Sequence, residues 1–452
     1  MKTAHRILAL AGGLWMGTLT SLPAQSYTFT TPVGNPAIVD TSGYPEGGYA
    51  DGTNSDARFN LPLALAVDGA GTVFVADTLN NTIRALKHAG SNWLLTTVAG
   101  AGPADPGSTD GTNSGAQFNT PQGVAVDTSG NLYVADTANY TVRKITPAGS
   151  DWVVTTIAGL AGESGTNDGP GSDARFSAPV SVAVDGATNV YVADYPAHTI
   201  RKLTPMGTNW VVSTIAGACR ETGSADGTNG QARFNGPGSI AADSAGNVYV
   251  CDWGNSAIRK IRAVGTDYVV TTLAGQAGQA DWVDGVGSKA RFSGSLAGIG
   301  TDSAGNLYAT DAGMVRRLIP AGTNWFVKTI AGYGDATGWV DGTGDTVRFY
   351  WPQAVAADRT GNLYVADSDN HAIRIGVPSA VGPPNLQIAR EANALILSWP
   401  LSVTAFVLQT RASVSAGGAW TPLTNGVVVV GDSFVLTNHI TPQNAFYRLL
   451  PL

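Results

Sequence analysis

A repeat of about 58 residues runs through most of the chain and constrains the fold more than any other feature. The segment VAVDTSGNLYVADTANYTVRKITPAGSDWVVTTIAG at 124–159 returns as SVAVDGATNVYVADYPAHTIRKLTPMGTNWVVSTIAG at 181–217. A DG motif precedes each copy, and its aspartate recurs at intervals of 59, 58, 58, 58 and 57 residues, at Asp51, Asp110, Asp168, Asp226, Asp284 and Asp341. Repeats of this length build solenoids, propellers or arrays, with one structural unit per copy. The spacing predicts six units.

Each unit has the pattern of four short β-strands. In the second copy these are GVAVD (123–127), NLYVAD (131–136), TVRKIT (141–146) and WVVTTIAG (152–159). Gly130 stands in the first turn, where a positive φ is needed. The strands are apolar at successive positions, which indicates sheets buried on both faces, and no helical period competes. Blades stacked around a ring are such sheets, so we predict an all-β, six-bladed β-propeller.

The ends of the repeat region predict how the ring closes. The sixth copy stops at HAIRIG (371–376) and lacks a fourth strand, while SYTFTTPVG (26–34) aligns with the fourth strand DWVVTTIAG (151–159). An N-terminal strand that completes the last blade would remove the exposed edges of an open ring. We therefore place the propeller at 26–376.

The repeat pattern F…P.GVAVD..GN.YVAD..N..IRK resembles the NHL repeat, and Asn370-His371-Ala372 keeps part of the name-giving tripeptide. The resemblance covers residues 26–377 with six matches. It implies a six-bladed propeller. Similar NHL propellers act as extracellular sensor domains and protein-binding scaffolds, one group is the peptidylglycine amidating lyases, and related gluconolactonase-type propellers bind a central divalent metal. A fold shared so widely does not choose among these functions.

The segment before the repeats resembles an export signal. Basic residues precede the apolar run ILALAGGLWMGTL, and SLPAQ with a small residue at Ala24 follows it. The run is short for a membrane-spanning helix, so we interpret residues 1–25 as a signal peptide rather than an anchor or a buried strand. No later segment approaches the length of a transmembrane helix. The expected location is secreted, whether extracellular, at the cell surface or periplasmic.

The segment after the repeats changes character. VPSAVGPPN at 377–385 is typical of a proline-rich linker. Residues 386–452 contain short apolar runs around aromatic residues and resemble the small immunoglobulin- or fibronectin-like modules that end many secreted bacterial proteins. We expect a small β-sandwich-like domain, which either attaches the protein to a surface or serves as a spacer.

Acid–base pairs recur in every copy. The second strand ends in an aspartate at Asp77, Asp136, Asp194, Asp252, Asp311 and Asp367. An arginine follows seven residues later, or five in the fifth copy, at Arg84, Arg143, Arg201, Arg259, Arg316 and Arg374. Six-fold repetition favours a structural role, in which each pair braces the loop between strands two and three of its own blade, over a catalytic role, because catalytic sites are asymmetric constellations.

An enzyme of the propeller type would place its ligands where the innermost strands line the central channel. Two residues of each copy fall there: Leu63, Gln122, Val180, Gly238, Ala297 and Gln353, and then Ala64, Gly123, Ser181, Ser239, Gly298 and Ala354. Neither ring contains Asp, Glu or His. The few histidines lie too far apart in the predicted ring for a zinc site, and no nucleophile motif occurs. We predict no catalytic residues, metal or cofactor.

Asymmetry between the copies points to a binding site. Two residues before the DG aspartate, three consecutive blades carry Tyr49, Trp282 and Trp339, where the other blades carry serine or threonine. We call these three residues the aromatic arc. Exposed aromatic side chains suit stacking on sugars or anchoring a protein, although they could equally fill gaps between loops. The loop after the second strand departs from the pattern at Tyr195, His198 and Trp253, which makes these residues secondary candidates.

The two cysteines, Cys219 and Cys251, occupy positions that are not cysteine in other copies. Export would favour a disulfide between them, closing a loop of roughly thirty residues, provided their Cα atoms approach within about 7 Å. The alternative is two separate buried thiols, each of which serves as a small apolar filler. We expect the disulfide.

Taken with a net charge of −7, which disfavours a nucleic-acid partner, these features predict a secreted binding or scaffolding protein. Its partner would be a carbohydrate or an extracellular protein, recognised by the aromatic arc. The alternative is a metal-dependent lyase or lactonase of the propeller type.

Overall fold

The computed structural model describes residues 26–321 and 324–379, and seven further strands between residues 387 and 451. The predicted signal peptide at 1–25 and most of the predicted linker at 377–385 lie outside the described residues. Two compact units are present, one made of 27–318 with 327–377, the other containing the C-terminal strands. Within the described part of the chain, no helix is long and apolar enough to cross a membrane.

The larger unit consists of six five-stranded antiparallel sheets. The innermost, first strands are Pro62–Val67, Pro121–Val126, Pro179–Val184, Pro237–Ala242, Leu296–Thr301 and Pro352–Ala357. The second strands are Val73–Asp77, Leu132–Asp136, Val190–Asp194, Val248–Asp252, Leu307–Asp311 and Leu363–Asp367. The third strands are Thr82–Ala89, Thr141–Ala148, Thr199–Met206, Ala257–Val264, Met314–Ala321 and Ala372–Pro378.

The outer part of each sheet contains a long and a very short strand. The fourth strands are Asn92–Ala99, Asp151–Ala158, Asn209–Ala216, Asp267–Gly275, Asn324–Gly332 and, in the sixth sheet, Tyr27–Val33. The fifth strands, of two residues each, are Gly52–Thr53, Gly111–Thr112, Gly169–Pro170, Gly227–Thr228, Gly285–Val286 and Gly342–Thr343. The fifth strand was not predicted, because two residues beside a DG turn carry no alternating pattern.

The six sheets are the blades of a propeller. Each first strand contacts the first strands of the two neighbouring blades, and that of blade 6 contacts that of blade 1, so the ring is complete. Apolar clusters lie between neighbouring blades; one joins Tyr133 and Val142 of blade 2 to Phe176 and Val192 of blade 3. This packing explains why the second strands are buried at every position and are apolar on both faces. The prediction of an all-β, six-bladed propeller is confirmed.

In the sixth sheet, the strand Tyr27–Val33 lies between the third strand of that blade and Gly342–Thr343. Its side chains alternate between buried and exposed at the start, and Tyr27 and Phe29 are fully buried. The Tyr27 and Tyr308 hydroxyls are 3.3 Å apart, which links this strand to blade 5.

The innermost strands approach one another so closely that only small residues fit at one position of each. A Cβ added to Gly123 would lie 2.9 Å from the Cα of Ser181, and one added to Gly298 would lie 2.5 Å from the Gln353 carbonyl oxygen. Ser181 uses the same proximity, since its hydroxyl accepts a hydrogen bond from the Ile240 N–H at 3.2 Å. Close inter-strand packing therefore selects Gly, Ala and Ser here.

The C-terminal strands form two antiparallel sheets within the smaller unit. The four-stranded sheet contains Gln387–Glu391, Ala394–Pro400, Val427–Val430 and Ser433–His439. The three-stranded sheet contains Phe406–Arg411, Thr421–Pro422 and Phe446–Pro451.

Candidate functional site

A buried guanidinium joins two carboxylates in each blade. In blade 2, Arg143 lies 2.8 Å from Asp136 and 2.7 Å from Asp110. Its side chain also donates to the backbone carbonyls of Gln117 and Thr109. The arginine thus ties the end of the second strand to the DG loop, and this network recurs in all six blades at the acid–base pairs predicted from the sequence. Each pair thus forms within its own blade, and the arginine also reaches the aspartate of the DG loop, a contact that the sequence did not predict.

Burial governs the electrostatics of this network. Desolvation raises the pKa of Asp136 to about 6, while the Arg143 guanidinium and hydrogen bonds from Asn119 and Asn139 favour its ionised form. Desolvation raises the pKa of Asp77 and Asp367 to about 6 in the same way. The side chains of both partners are fully buried, so the pair presents no reactive group to a ligand.

The connections between blades and the loop after the second strand lie on the same face of the ring. In blade 1, Asn80 of that loop donates to the Gly48 carbonyl of the connection at 2.8 Å, and Asn370 donates to Gly338 in blade 6 at 2.7 Å. The residues of the aromatic arc therefore lie on the loop-bearing face, because Tyr49 and Trp339 directly follow these two glycines.

Each residue of the aromatic arc is partly packed and partly open. Tyr49, Trp282 and Trp339 are 44%, 44% and 41% exposed. The Tyr49 ring centroid lies 5.2 Å from the Arg84 guanidinium carbon, and a Cβ on Gly334 would lie 3.7 Å from the Trp282 ring. Both interpretations of these aromatic residues thus have a structural basis, since each side chain is partly covered by protein and partly exposed.

Three further aromatic side chains of the same three blades are exposed, and sequence comparison missed them. They are Tyr44 at 58%, Tyr333 at 63% and Trp351 at 46%. Trp351 has a φ of +50°, which is unusual for a bulky residue. None of the three recurs at the equivalent position of another blade. Their only signal in the sequence is that they are large aromatic residues within loops.

The secondary candidates lie at the boundary between blades 3 and 4. The rings of Tyr195 and Trp253 have centroids 6.1 Å apart at 45°, and Trp253 is 42% exposed. His198 has a structural contact: its Nδ1 accepts a hydrogen bond from the Gly236 N–H of the next blade at 3.0 Å. The structure therefore brings two of these residues together as an aromatic pair and uses the third as a tether.

His371 makes the equivalent tether between blades 6 and 1. Its Nδ1 accepts a hydrogen bond from the Leu61 N–H at 3.0 Å, which requires an unprotonated nitrogen. Burial lowers its pKa, and the charge of Arg58 adds to this effect. In blade 1 the same connection is made by Asn81, whose side-chain oxygen accepts from the Thr120 N–H at 2.8 Å.

The central channel is narrow and lacks ionisable groups. It has a volume of about 100 Å³, and its lining includes the predicted residues Leu63, Gln122, Val180, Gly238, Ala297 and Gln353. Ligand pockets are typically about 300–1,000 Å³, so the channel has room for water but not for an organic substrate. No Asp, Glu, His or Cys side chain lines it. Across the residues that the structure describes, no group of three such side chains could hold a metal ion.

The expected disulfide between Cys219 and Cys251 is wrong, because both are free thiols. Cys219 is exposed on the connection that leaves blade 3. Cys251 is fully buried in blade 4, and its thiol donates to the Gly298 carbonyl of blade 5 at 3.5 Å. Burial raises the pKa of the Cys251 thiol well above its usual value. Since Cys251 faces the neighbouring blade 5, it acts as the small buried residue of the alternative interpretation.

Comparison with known proteins identifies the repeat. Residues 118–145, 234–261 and 349–375, in blades 2, 4 and 6, match the family model described as NHL repeat. The chain carries NHL repeats. Curated relatives include "NHL repeat-containing protein 2" of Gallus gallus, 29% identical over 349 residues. Another is "Protein SUPPRESSOR OF QUENCHING 1, chloroplastic" of Arabidopsis thaliana, 28% identical over 289 residues. These matches cover 70% and 60% of this chain but 46% and 26% of the relatives, so it spans less than half their length.

Solved structures share the architecture. A protein of Bacteroides ovatus described as an auxiliary nutrient binding protein has a TM-score of 0.57 and 18% identity, over 79% of this chain and 78% of that one. A Bacteroides thetaiotaomicron protein of unknown function has a TM-score of 0.56 and 22% identity, over 78% and 76% of the two chains. At 22% and 18% identity, these similarities show only that the chains share the propeller fold.

Proposed function

We propose that this NHL-repeat propeller is a secreted binding or scaffolding protein that recognises a carbohydrate or a protein through the aromatic arc. The observation that carries the proposal is the placement of Tyr49, Trp282 and Trp339 at one repeat position on three consecutive blades, each more than 40% exposed. The remaining blades have Ser108, Thr166 and Ser224 at that position. An asymmetric feature on a symmetric scaffold is where a specific function is expected.

The local packing suits the arc to binding. The Arg84 guanidinium lies over the Tyr49 ring, and the Trp282 ring packs against the Gly334 backbone. A ring that is already ordered loses little conformational entropy when a partner covers it. Flat aromatic surfaces stack on sugar rings and also serve as anchors in protein interfaces. Tyr333 and Trp351 of the same blades are also exposed and could add to this surface.

The location and ligand class draw support from two sources. The apolar run before the propeller has the pattern of an export signal, and two solved relatives in fold are described as auxiliary nutrient binding proteins. We therefore place this protein outside the cytoplasm, with cleavage after residue 25. N-terminal sequencing of the secreted protein tests this placement, and a mature chain that still begins at Met1 would contradict it.

Two structural proposals accompany this function. We propose that the strand Tyr27–Val33 holds the ring closed, and that the two C-terminal sheets pack together as a small sandwich that attaches the protein to a surface or acts as a spacer. A chain truncated after residue 379 tests the attachment. It should fold and bind soluble ligand, and lose only retention on cells or polysaccharide.

The alternative, a metal-dependent lyase or lactonase, has less support. The residues that line the channel offer neutral amides and hydroxyls, such as those of Gln122 and Gln353, and no carboxylate or imidazole. Zinc sites require His, Cys or carboxylate ligands. Metal analysis of the purified protein discriminates the two functions, because stoichiometric zinc or calcium bound in the channel would favour the enzyme.

The decisive experiment is a binding screen of the purified full chain against glycans and cell-wall fragments, followed by variants of the arc. Tyr49→Ala, Trp282→Ala and Trp339→Ala should each weaken binding of the best hit, at about 2 kcal/mol for a typical anchor. Leu94→Ala is the matched control, because Leu94 is exposed beside the hairpin turn at the opposite end of its blade. Normal binding by all three variants, combined with early unfolding, would show that the rings only fill gaps.

A further inference from the structure

Blade 6 departs from the repeat at three positions on the loop-bearing face. Tyr350 and Trp351 precede its first strand, where blades 1 to 4 have asparagine or serine followed by Leu, Thr, Ala or Gly. Asp369 lies in the loop after the second strand, where blades 1 to 4 have Leu, Ala, Pro or Gly. The two segments are adjacent in the fold, because the Asp369 N–H donates to the Tyr350 carbonyl at 3.1 Å.

A fourth residue, Tyr44, reaches the same place from the connection between blades 6 and 1. His371, two residues after Asp369, is hydrogen-bonded to the Pro45 backbone, which places the preceding Tyr44 beside blade 6. Burial raises the pKa of Tyr350, and the nearby ionisable groups of Asp369 and Tyr44 raise it further. The two phenols and the carboxylate are therefore neighbours. We call Tyr44, Tyr350, Trp351 and Asp369 the blade 6 corner.

The Asp369 carboxylate has no countercharge. It is half-buried. Burial raises its pKa, and within the described part of the chain no hydrogen bond or positive charge lowers it. Arg58, whose charge acts on His371, donates instead to the Glu46 carbonyl. A carboxylate that loses hydration without gaining a partner costs free energy, and a positively charged ligand would supply that partner.

The backbone makes Trp351 a costly residue at its position. Its φ is +50°, and the equivalent residues of blades 1, 2 and 4 also have positive φ, at +54° for Leu61, +54° for Thr120 and +68° for Gly236. This left-handed conformation favours glycine and disfavours bulky side chains. Packing does not explain the tryptophan either, because it is 46% exposed. An exposed ring at a position that suits glycine indicates contact with a ligand.

We propose that the blade 6 corner binds an organic ammonium group, carried either by a small quaternary ammonium compound or by a lysine side chain of a partner protein. The faces of aromatic rings attract cations, and the Asp369 carboxylate would neutralise the bound charge. Asp40 and Glu46, exposed on the same connection as Tyr44, add negative charge around the corner. A neutral sugar would leave the charge of Asp369 unpaired.

This site goes beyond the proposed function. None of its four residues belongs to the aromatic arc, and its chemistry differs: the arc offers rings for stacking, whereas the corner combines rings with a carboxylate and selects positive charge.

The test is saturation-transfer NMR of the full chain with choline. The comparison probes are methyl glucoside and the neutral isostere of choline, in which a tert-butyl group replaces the trimethylammonium group. We expect choline to bind and the two neutral probes not to displace it. Asp369→Ala and Trp351→Thr introduce the residues that blade 2 has at these positions, so both variants should fold. Each should weaken choline binding about threefold or more.

Two controls define the result. Asp173→Ala removes an exposed carboxylate from blade 3, on the opposite side of the ring, and should leave binding unchanged. N-acetyl-lysinamide distinguishes the two sources of the ammonium group. Binding tighter than that of choline supports a lysine of a protein partner, and weaker binding supports a quaternary ammonium compound.

The outcomes separate this proposal from the proposed function. No binding of either ammonium probe, equal binding of the neutral isostere, or full binding by Asp369→Ala would each overturn the corner as an ammonium site. An equal loss in Asp173→Ala would do the same, because it would reflect net charge alone. Loss in a Trp282→Ala, Trp339→Ala double variant, with full binding by Trp351→Thr, would assign the cation to the arc. That result would overturn the corner and leave the arc as a binding surface.

Discussion

Phe29 offers the sharpest test of what the N-terminal strand contributes to the propeller. Its side chain is fully buried, and its ring meets that of Phe349 edge-on at a centroid distance of 5.3 Å. It fills the space above Gly376, where a Cβ would lie 2.5 Å from the Phe29 ring. The same cluster includes Tyr308 of blade 5. Phe29→Ala would therefore leave a cavity at the boundary of blades 5 and 6.

The expected magnitude follows from this burial. Truncation of a fully buried phenylalanine costs about 3–5 kcal/mol, as lost transfer free energy plus the cavity. The unfolding entropy of a domain of about 350 residues is roughly 0.7 kcal/mol/K. The loss in free energy of unfolding thus corresponds to a fall in Tm of about 4–7 °C.

Thermal and chemical denaturation of Phe29→Ala and of two comparison variants tests whether the N-terminal strand stabilises the propeller. Leu95→Ala removes the equivalent buried residue of the fourth strand of blade 1, and Thr30→Ala changes an exposed residue of the N-terminal strand. We expect Phe29→Ala to resemble Leu95→Ala, and Thr30→Ala to stay within about 0.5 kcal/mol of wild type. A Phe29→Ala variant as stable as Thr30→Ala would refute the closure. Deletion of residues 26–34 should destabilise the whole ring still more.

Three further outcomes are expected. Unfolded His has a pKa near 6.5 and folded His371 a lower one, so the native state binds fewer protons and loses stability as pH falls below about 6.5. His371→Asn keeps a side-chain acceptor for the Leu61 N–H but does not titrate. The Tm of this variant minus that of the wild type should therefore become more positive from pH 7 to pH 5, and a difference that does not change with pH would contradict this. Thiol titration should find Cys219 reactive in the native protein and Cys251 only after unfolding, whereas no thiols after unfolding would reveal a disulfide. Arg143→Met should cost about 3–5 kcal/mol in denaturant unfolding, because it leaves a buried carboxylate unpaired; a change below about 1 kcal/mol would be inconsistent with the brace.

The architecture was predictable because the repeat copies the same chemistry six times. Glycine in the turns, apolar residues on both faces and an acid–base pair at fixed spacing each recur, so one blade determines the others. Small residues such as Gly123 and Ser181 were visible in the sequence, but the reason for them, the close approach of neighbouring inner strands, is visible only in the folded structure.

What sequence could not supply are contacts between distant positions. The second carboxylate of each network, such as Asp110, stands 33 residues before its arginine and was recognised only as part of a turn. The tether role of His198 depends on a backbone N–H of the next blade. The disulfide was predicted from the expected oxidising compartment and the even number of cysteines. Whether the bond can form depends on the direction of the Cys251 side chain, which the sequence does not give.

The pairing of the first strand with the last blade also sets when this protein can fold. Tyr27–Val33 finds its partners at Gly342–Thr343 and Ala372–Pro378, and the backbone N–H of Ser379 donates to the Ser26 carbonyl at 2.8 Å. During synthesis at about 5–20 residues per second, the strand emerges roughly 20–70 seconds before the last of them. Blades 1 to 5 can form in the meantime, so a strand that is made early is among the last to find its partners. The sheet of blade 6 in a nascent chain therefore cannot be completed until translation has passed the propeller.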